Sequence, residues 1–256
     1  MANLDSMVEW LRTRLAVAGA RGFVVGLSGG VDSACVARLC QLAAPGYVAG
    51  VLLPCHSDPQ DEIDARLVAE HFEVPTVRLD LGPCYDAAMR EATVALAQLS
   101  QGAAAAPPES DIRARVPAAN VKPRLRMAML YFIANSLNYL VAGTGNRSEI
   151  MIGYFTKYGD GGVDLLPIGQ LLKRDVRVLA QRLGVPQPIV DKPPSAGLWH
   201  GQSDETDMGF GYADLERYID EGPEAVAPAL AMRIERLIRA SEHKREMPPY
   251  PSPIES

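Results

Sequence analysis

Cysteine is scarce in this sequence and shows no pattern. Four cysteines (Cys35, Cys40, Cys55, Cys84) stand among 256 residues. None pair as C-x-x-C, and no histidine joins them at zinc-ligand spacing. Cys35 and Cys40 fall inside one apolar segment and read as small buried hydrophobes. With no disulfide scaffold in view, a reducing cytoplasm is the expected compartment. An excess of basic residues is also missing: the formal net charge is -6 and the pI near 5.3. Nucleic-acid binding, which calls for a basic face against phosphates, is therefore disfavoured. A small basic pocket for a phosphorylated metabolite is still compatible with that balance. No run of 18 apolar residues occurs, so no membrane span is expected. Glu9, Arg12 and Arg14 interrupt the first residues where a signal peptide would need an apolar core.

Apolar residues make up 48% of the chain and charged residues 22%, which is ordinary for a globular protein. The length suits one large domain spanning 1–256 with a substantial core. Leu4, Val8, Leu11 and Leu15 recur at helical spacing and predict an opening helix. Phe23 to Leu27 is a short β-rich run, followed by Ser28-Gly29-Gly30-Val31-Asp32-Ser33 and a helix over 34–42. A second strand covers 47–53. Asp58 as N-cap and Pro59 at the first helical position start the next helix, which runs to about Phe72. A third strand covers 76–79, a helix about 85–99, a long helix 122–138 and a fourth strand 139–142. Residues 102–108 (GAAAAPP) read as a surface loop. Strands alternating with helices predict an α/β fold, a Rossmann-like parallel sheet flanked by helices. Such sheets bind ligands beyond the carboxyl ends of their strands. Both Gly-rich turns, at 28–33 and 143–149, fall at that edge. Residues 160–162 and 192–201 (KPPSAGLWHG) read as functional loops or a lid, and a final helix covers about 228–243.

The first Gly-rich turn has the chemistry of a phosphate cradle. Two glycines allow close backbone approach and positive φ, and successive N–H groups with a helix N-terminus receive anionic oxygens. Ser28 and Ser33 add hydroxyls. A helix N-terminus contributes only about 0.3–1 kcal/mol, too little for a triphosphate, so a divalent metal and cationic side chains are expected. Asp32 is the nearest carboxylate for that metal. No lysine follows the glycines as in a Walker loop, and the turn is not G-x-G-x-x-G. SGG-x-DS after a strand resembles the pyrophosphate loop of the ATP pyrophosphatases, the PP-loop enzymes, which cleave ATP between the α and β phosphates.

The second turn, Gly143-Thr144-Gly145-Asn146-Arg147-Ser148-Glu149, offers a hydroxyl at Thr144 and a second carboxylate at Glu149. Two such oxygens with phosphate oxygens and waters suit Mg²⁺. The string GTGNRSE, then GYFTKYGDGG, then the Asp164-Leu165-Leu166-Pro167-Ile168-Gly169 segment, resembles the ammonia-dependent NAD synthetases. The likeness runs from about Gly22 to Pro249. It includes Asn120 to Met127 (NVKPRLRM), Lys192 to Trp199 (KPPSAGLW), Gln202 to Glu205 (QSDE) and Glu242 to Arg245 (EHKR).

The resemblance implies conversion of nicotinic acid adenine dinucleotide (deamido-NAD), ATP and ammonia to NAD, AMP and pyrophosphate. By matching position, Gly26, Leu27, Ser28, Gly29, Gly30, Val31, Asp32 and Ser33 would hold ATP phosphates, with Thr144, Lys173 and Ser195 also contacting ATP. Asp32 and Glu149 would bind Mg²⁺. Arg124, Lys157, Asp164, His243 and Lys244 would contact the dinucleotide, at a site implied to lie on a homodimer interface. Lys173 is expected to stabilise charge on the phosphates. Asp204 and Glu205, in a closing loop, are expected to deprotonate ammonium or exclude water. The phosphate loop begins near residue 28, so no glutaminase domain is expected before it, and free ammonia is the expected nitrogen source.

Two other classes remain compatible with the fold: a different PP-loop ligase, of the tRNA-thiolating or GMP-synthetase kind, and a non-catalytic nucleotide sensor. The first would need catalytic cysteine pairs or a basic RNA surface. The second sits poorly with two retained metal carboxylates. Gln170, where many members carry an acidic residue, and His200, in place of a common proline, depart from the family pattern. His56 and His71 have no partners at ligand spacing and receive no role.

Overall fold

The apolar run after the first helix becomes the centre of a sheet, because its neighbours bury both its faces. In the computed structural model, which describes residues 3–99, 112–199 and 201–251, this run is β1 (Gly22–Gly26). Its flanks are α1 (Leu4–Ala18) and α2 (Val31–Ala43). Next come β2 (Val48–Leu52), α3 (Pro59–His71), β3 (Thr76–Arg78) and α4 (Gly82–Leu99). Then follow α5 (Ile112–Ala119), α6 (Val121–Leu137) and β4 (Tyr139–Val141). The strand order is β3-β2-β1-β4, and every pairing is parallel. This is the α/β fold that the alternation predicts.

Successive side chains of a strand point to opposite faces, and β1 uses both. Phe23 and Val25 join a core cluster with Val8, Leu11, Leu39 and Leu179, under α1, α2 and α8 (Lys173–Leu183). Val24 joins Val51, Val141 and Ala134 on the other face, under α6. A third apolar cluster, containing Ile152, Met208, Phe210, Leu215 and Ile234, gathers the C-terminal helices. These are α7 (Arg147–Ile152), α10 (Asp204–Met208), α11 (Tyr212–Glu221) and α12 (Pro228–Ala240). Two short helices, α9 (Gln187–Val190) and α13 (Glu242–Arg245), complete the set.

Several boundaries differ from the sequence expectation, each for a local reason. α2 begins at Val31 rather than Ala34, because extended Gly30 (φ -96°, ψ 161°) serves directly as the residue before the helix. α4 begins at Gly82, where the Asp80 carboxylate accepts the Gly82 N–H at 2.9 Å. α5 has Pro117 inside it and shows no apolar periodicity that would have announced it. The last predicted helix breaks at Ser241 into α12 and α13. Asp58 caps α3 as expected, its side chain accepting from the Gln60 N–H at 2.9 Å. The 102–108 loop and His200 lie outside the described residues. Among the described residues, no helix is long and apolar enough to cross a membrane.

Candidate active site

The turns after β1 and β4 open into one cavity of about 1000 Å³ at the carboxyl edge of the sheet. That volume is at the upper end for small-ligand sites. Gly26, Leu27, Ser28, Gly30, Val31, Asp32, Thr144, Glu149, Lys173, Ser195 and Asp204 all line it.

The phosphate loop is preformed by its own polar groups. Ser33 Oγ donates to the Gly30 carbonyl at 2.9 Å and accepts the Ser28 N–H at 3.3 Å. Ser28 Oγ accepts the Gly30 N–H at 3.3 Å and bonds Ser33 Oγ at 3.1 Å. Ser33 is buried and outside the cavity wall, so it shapes the loop while Ser28 stays exposed. Gly29 is required twice over. Its φ is +75°, and a Cβ there would stand 2.5 Å from the Asp61 carbonyl oxygen and 2.8 Å from Asp64 Cβ. The loop therefore rests its full weight on the first turns of α3.

Opposite the loop, Lys173 is clasped by two carboxylates. Its Nζ lies 2.5 Å from Asp32 Oδ2 and 3.1 Å from Glu149 Oε1. It begins α8, with its N–H donated to buried Ser148 Oγ at 3.1 Å. Burial pulls the Lys173 ammonium down, but the Asp32 and Glu149 charges outweigh it and hold the pKa above its ordinary value. Burial pushes the Glu149 carboxyl up; Lys173 opposes this, while Asp32 and Asp204 add to it. Two carboxylates thus share one ammonium beside a loop shaped for phosphate.

Asn146, fully buried, ties the two turns together. Its Nδ2 donates to Asp32 Oδ1 at 3.1 Å, while its Oδ1 accepts the Glu149 N–H at 3.1 Å and caps α7. Glu149 returns the bond, Oε2 accepting the Asn146 N–H at 3.3 Å, which completes a capping box. Sequence reading recorded Asn146 inside the motif but gave it no role. The signal was available: Asn followed three residues later by Glu at a helix start.

Behind Lys173 stand two aromatic residues that periodicity could not single out. Tyr212 OH donates to Asp204 Oδ2 at 2.9 Å and lies 3.4 Å from Glu149 Oε1. Tyr154 OH donates to Asp207 Oδ2 at 2.9 Å, and Gln202 Nε2 donates to the same oxygen at 2.7 Å. Asp204 is 3% exposed, and among the described residues its Oδ1 has no partner within hydrogen-bond distance. Burial raises the Asp204 carboxyl above the usual carboxylate range, against the pull of the Tyr212 hydroxyl and Lys173. Glu205 faces away from this group, accepting the Tyr212 N–H at 3.0 Å.

The residues expected at a dinucleotide are only partly assembled at the cavity. Lys244 lines it, with Nζ donating to the Gly153 and Phe155 carbonyls at 2.7 Å each. Arg124 Nε donates to the Lys157 carbonyl at 3.3 Å, and Lys157 Nζ donates to the His243 carbonyl. These four therefore gather around the 153–157 loop. Asp164 is held elsewhere, accepting from Tyr131 OH at 3.0 Å and from the Val141 N–H at 2.8 Å.

Among the described residues, no group of three or more His, Cys, Asp or Glu side chains is arranged to hold a metal. Asp32 and Glu149 supply hard oxygens beside the phosphate loop, a donor pair that fits a divalent cation completed by phosphate oxygens and water.

The NAD synthase family profile matches residues 3–248. An NH(3)-dependent NAD(+) synthetase of Carboxydothermus hydrogenoformans is 47% identical over 247 residues, covering 96% of each chain. One from Syntrophomonas wolfei is 43% identical, covering 97% of this chain and 94% of its own. Among solved structures, an NMN synthetase from Francisella tularensis superposes with a TM-score of 0.83 at 36% identity, over 97% of this chain and 96% of that one.

Proposed function

The chain belongs to the NAD synthase family, and on that premise we propose that its cavity joins ammonia to the nicotinate carboxylate of deamido-NAD at the expense of ATP. The observation that carries this reading is the Lys173 clasp between Asp32 and Glu149, set against a preformed phosphate loop. That arrangement supplies cationic and metal-binding groups where charge develops on ATP, and no protein nucleophile is needed.

A carboxylate does not exchange oxide for ammonia at neutral pH, so the carboxylate must first be activated. Its oxygen attacks the α-phosphorus, an acyl-oxygen–phosphorus bond forms, and the bond to pyrophosphate breaks. Ammonia then attacks the acyl carbon, AMP departs with the bonding electron pair, and one proton is lost from nitrogen. Gly30, Val31 and Ser28 face the phosphates from the loop, while Thr144 and Ser195 face the cavity from the β4 turn and the lid segment. Lys173, clasped between Asp32 and Glu149, offsets charge on the departing pyrophosphate. Mg²⁺, held by Asp32 and Glu149, would neutralise phosphate charge during the displacement. Holding carboxylate and α-phosphorus in line is worth roughly 7–11 kcal/mol, more than any single side chain contributes. Asp204, buried at the cavity wall, receives the proton from nitrogen.

Dimerisation is part of the proposal. Val94 and Leu99 on α4 and Phe132 on α6 are 57%, 80% and 67% exposed, an apolar set that a second copy would cover. The reading as one synthetase domain using free ammonia is supported by near-complete coverage of the ammonia-dependent relatives, and a cytoplasmic location is part of the same proposal.

A second reading concerns the acceptor. The Francisella structure is described as an NMN synthetase, and it covers this chain as fully as the NAD relatives do. Here the acceptor would be nicotinate mononucleotide. Competition between equal amounts of deamido-NAD and nicotinate mononucleotide, with ATP, Mg²⁺ and ammonium, decides between them. NAD as the main product supports the dinucleotide reading, and NMN as the main product replaces it with the mononucleotide reading. Turnover that requires glutamine rather than ammonium would overturn both.

A further inference from the structure

Lys192 lies at the root of the 192–201 segment, outside the Lys173 clasp. Its Nζ is 2.9 Å from Asp61 Oδ1 and 2.5 Å from Asp64 Oδ2, with side chains 25%, 27% and 12% exposed respectively. Asp64 is further held by Gln60 Nε2 at 2.8 Å. Asp61 and Asp64 sit on the same turns of α3 against which Gly29 of the phosphate loop is pressed. One ammonium therefore joins the lid segment to the surface that supports the phosphate loop.

Six residues later the segment is tied down again, on the other side of the cavity. Lys122 of α6, 8% exposed, donates from Nζ to the Leu198 carbonyl at 2.7 Å and lies over the Tyr85 ring. A buried ammonium facing a neutral carbonyl is a costly choice of partner, and burial pulls the Lys122 pKa down. Between the two anchors stand Pro193 and Pro194, which restrict the backbone. Ser195 accepts the Gly197 N–H at 3.2 Å, and a Cβ on Gly197 would stand 3.4 Å from Asp61 Oδ2. The segment is thus a short, stiff strap across the cavity from α3 to α6, with Ser195 at its middle.

We propose that Lys192 is a positioning residue for ATP, its clip to Asp61 and Asp64 setting the height of the strap, and so of Ser195, above the phosphate loop. Through Gly29 the same clip holds the loop in its phosphate-ready form, so strap and loop are seated together. This rests on the reading of the loop as an ATP site. In this role Lys192 acts through Ser195 and the loop backbone. An ion pair with one buried and one partly buried carboxylate is directional enough for that purpose.

The test is steady-state kinetics and equilibrium ATP binding for Lys192→Met, Lys192→Arg and Asp61→Asn, alongside the unaltered chain. Lys192→Met should raise the KM for ATP roughly tenfold or more while leaving the KM for the pyridine nucleotide within about twofold. Asp61→Asn should shift the same parameter in the same direction, so the result does not depend on one variant folding. Lys192→Arg should recover most of the ATP affinity, and ATP should protect the 193–203 segment from proteolysis in the unaltered chain more than in Lys192→Met. Unchanged ATP parameters in both Lys192→Met and Asp61→Asn would overturn the inference. So would a uniform loss in every parameter that tracks a lower Tm. Failure of the unaltered chain to bind ATP would instead sink the functional reading beneath it.

Discussion

Asn146 Nδ2 donates to Asp32 Oδ1 at 3.1 Å, joining the phosphate loop after β1 to the turn after β4 across 114 residues of chain. The same side chain caps α7 through the Glu149 N–H. One amide therefore sets the separation of the two carboxylates that clasp Lys173.

Replacing Asn146 should have two separable effects. Asn146→Ala removes a cap and leaves buried polar groups unpaired, which should cost about 1–3 kcal/mol in urea unfolding. It should also raise the Mg²⁺ concentration needed for half-maximal turnover, because Asp32 loses its fixed orientation. A stability loss with no change in the Mg²⁺ requirement would show that the amide is structural only.

Lys173 should be intolerant of any replacement. Lys173→Met leaves two mostly buried carboxylates facing one another, a destabilisation of about 3–5 kcal/mol. Turnover should fall by at least about a hundredfold. Lys173→Arg should not restore it, since a planar fork does not fit between carboxylates set for a point charge. Thermal melts and endpoint NAD formation check both statements. An active Lys173→Arg enzyme would count against the clasp geometry.

Gly29 is the position where any side chain collides with α3. Gly29→Ala should cost more than about 1 kcal/mol, from both the φ of +75° and the contact with the Asp61 carbonyl. ATP affinity should fall with it. Wild-type ATP binding in a folded Gly29→Ala variant would show that the loop can shift without harm.

The sequence made the sheet legible because β1 and β2 are apolar runs bounded by turn residues, and the two Gly-rich turns marked its ligand edge. Asp32, Glu149, Lys173, Thr144 and Ser195 were named from motif and resemblance, and they do share one cavity. Ser33 was named for its hydroxyl, yet its neighbours bury it in the loop's own hydrogen bonds. Tyr212 and Lys192 were missed for a different reason. Their roles depend on partners 63 and 131 residues away, and local pattern carries no record of such distances. α5 escaped because Arg113, Arg115 and Pro117 give it no apolar stripe.

Asp204 should divide the reaction into its two halves. Asp204→Asn removes the group proposed to take the proton from nitrogen, and NAD formation should fall by about 10²–10⁴-fold. Deamido-NAD-dependent release of pyrophosphate in the first turnover should persist, because adenylation does not use this carboxylate. Quenched-flow measurement of pyrophosphate and NAD in one experiment reads both. Equal loss of the two products would assign Asp204 to the first half-reaction instead.

The central claim, activation of a carboxylate by adenylation, is tested most directly with deamido-NAD carrying ¹⁸O in both carboxylate oxygens. After turnover with ATP, Mg²⁺ and ammonium, the products are separated and weighed by mass spectrometry. The account predicts one ¹⁸O in the phosphate of AMP for each NAD formed, and none in pyrophosphate. AMP without label, or label in pyrophosphate or inorganic phosphate, would contradict it.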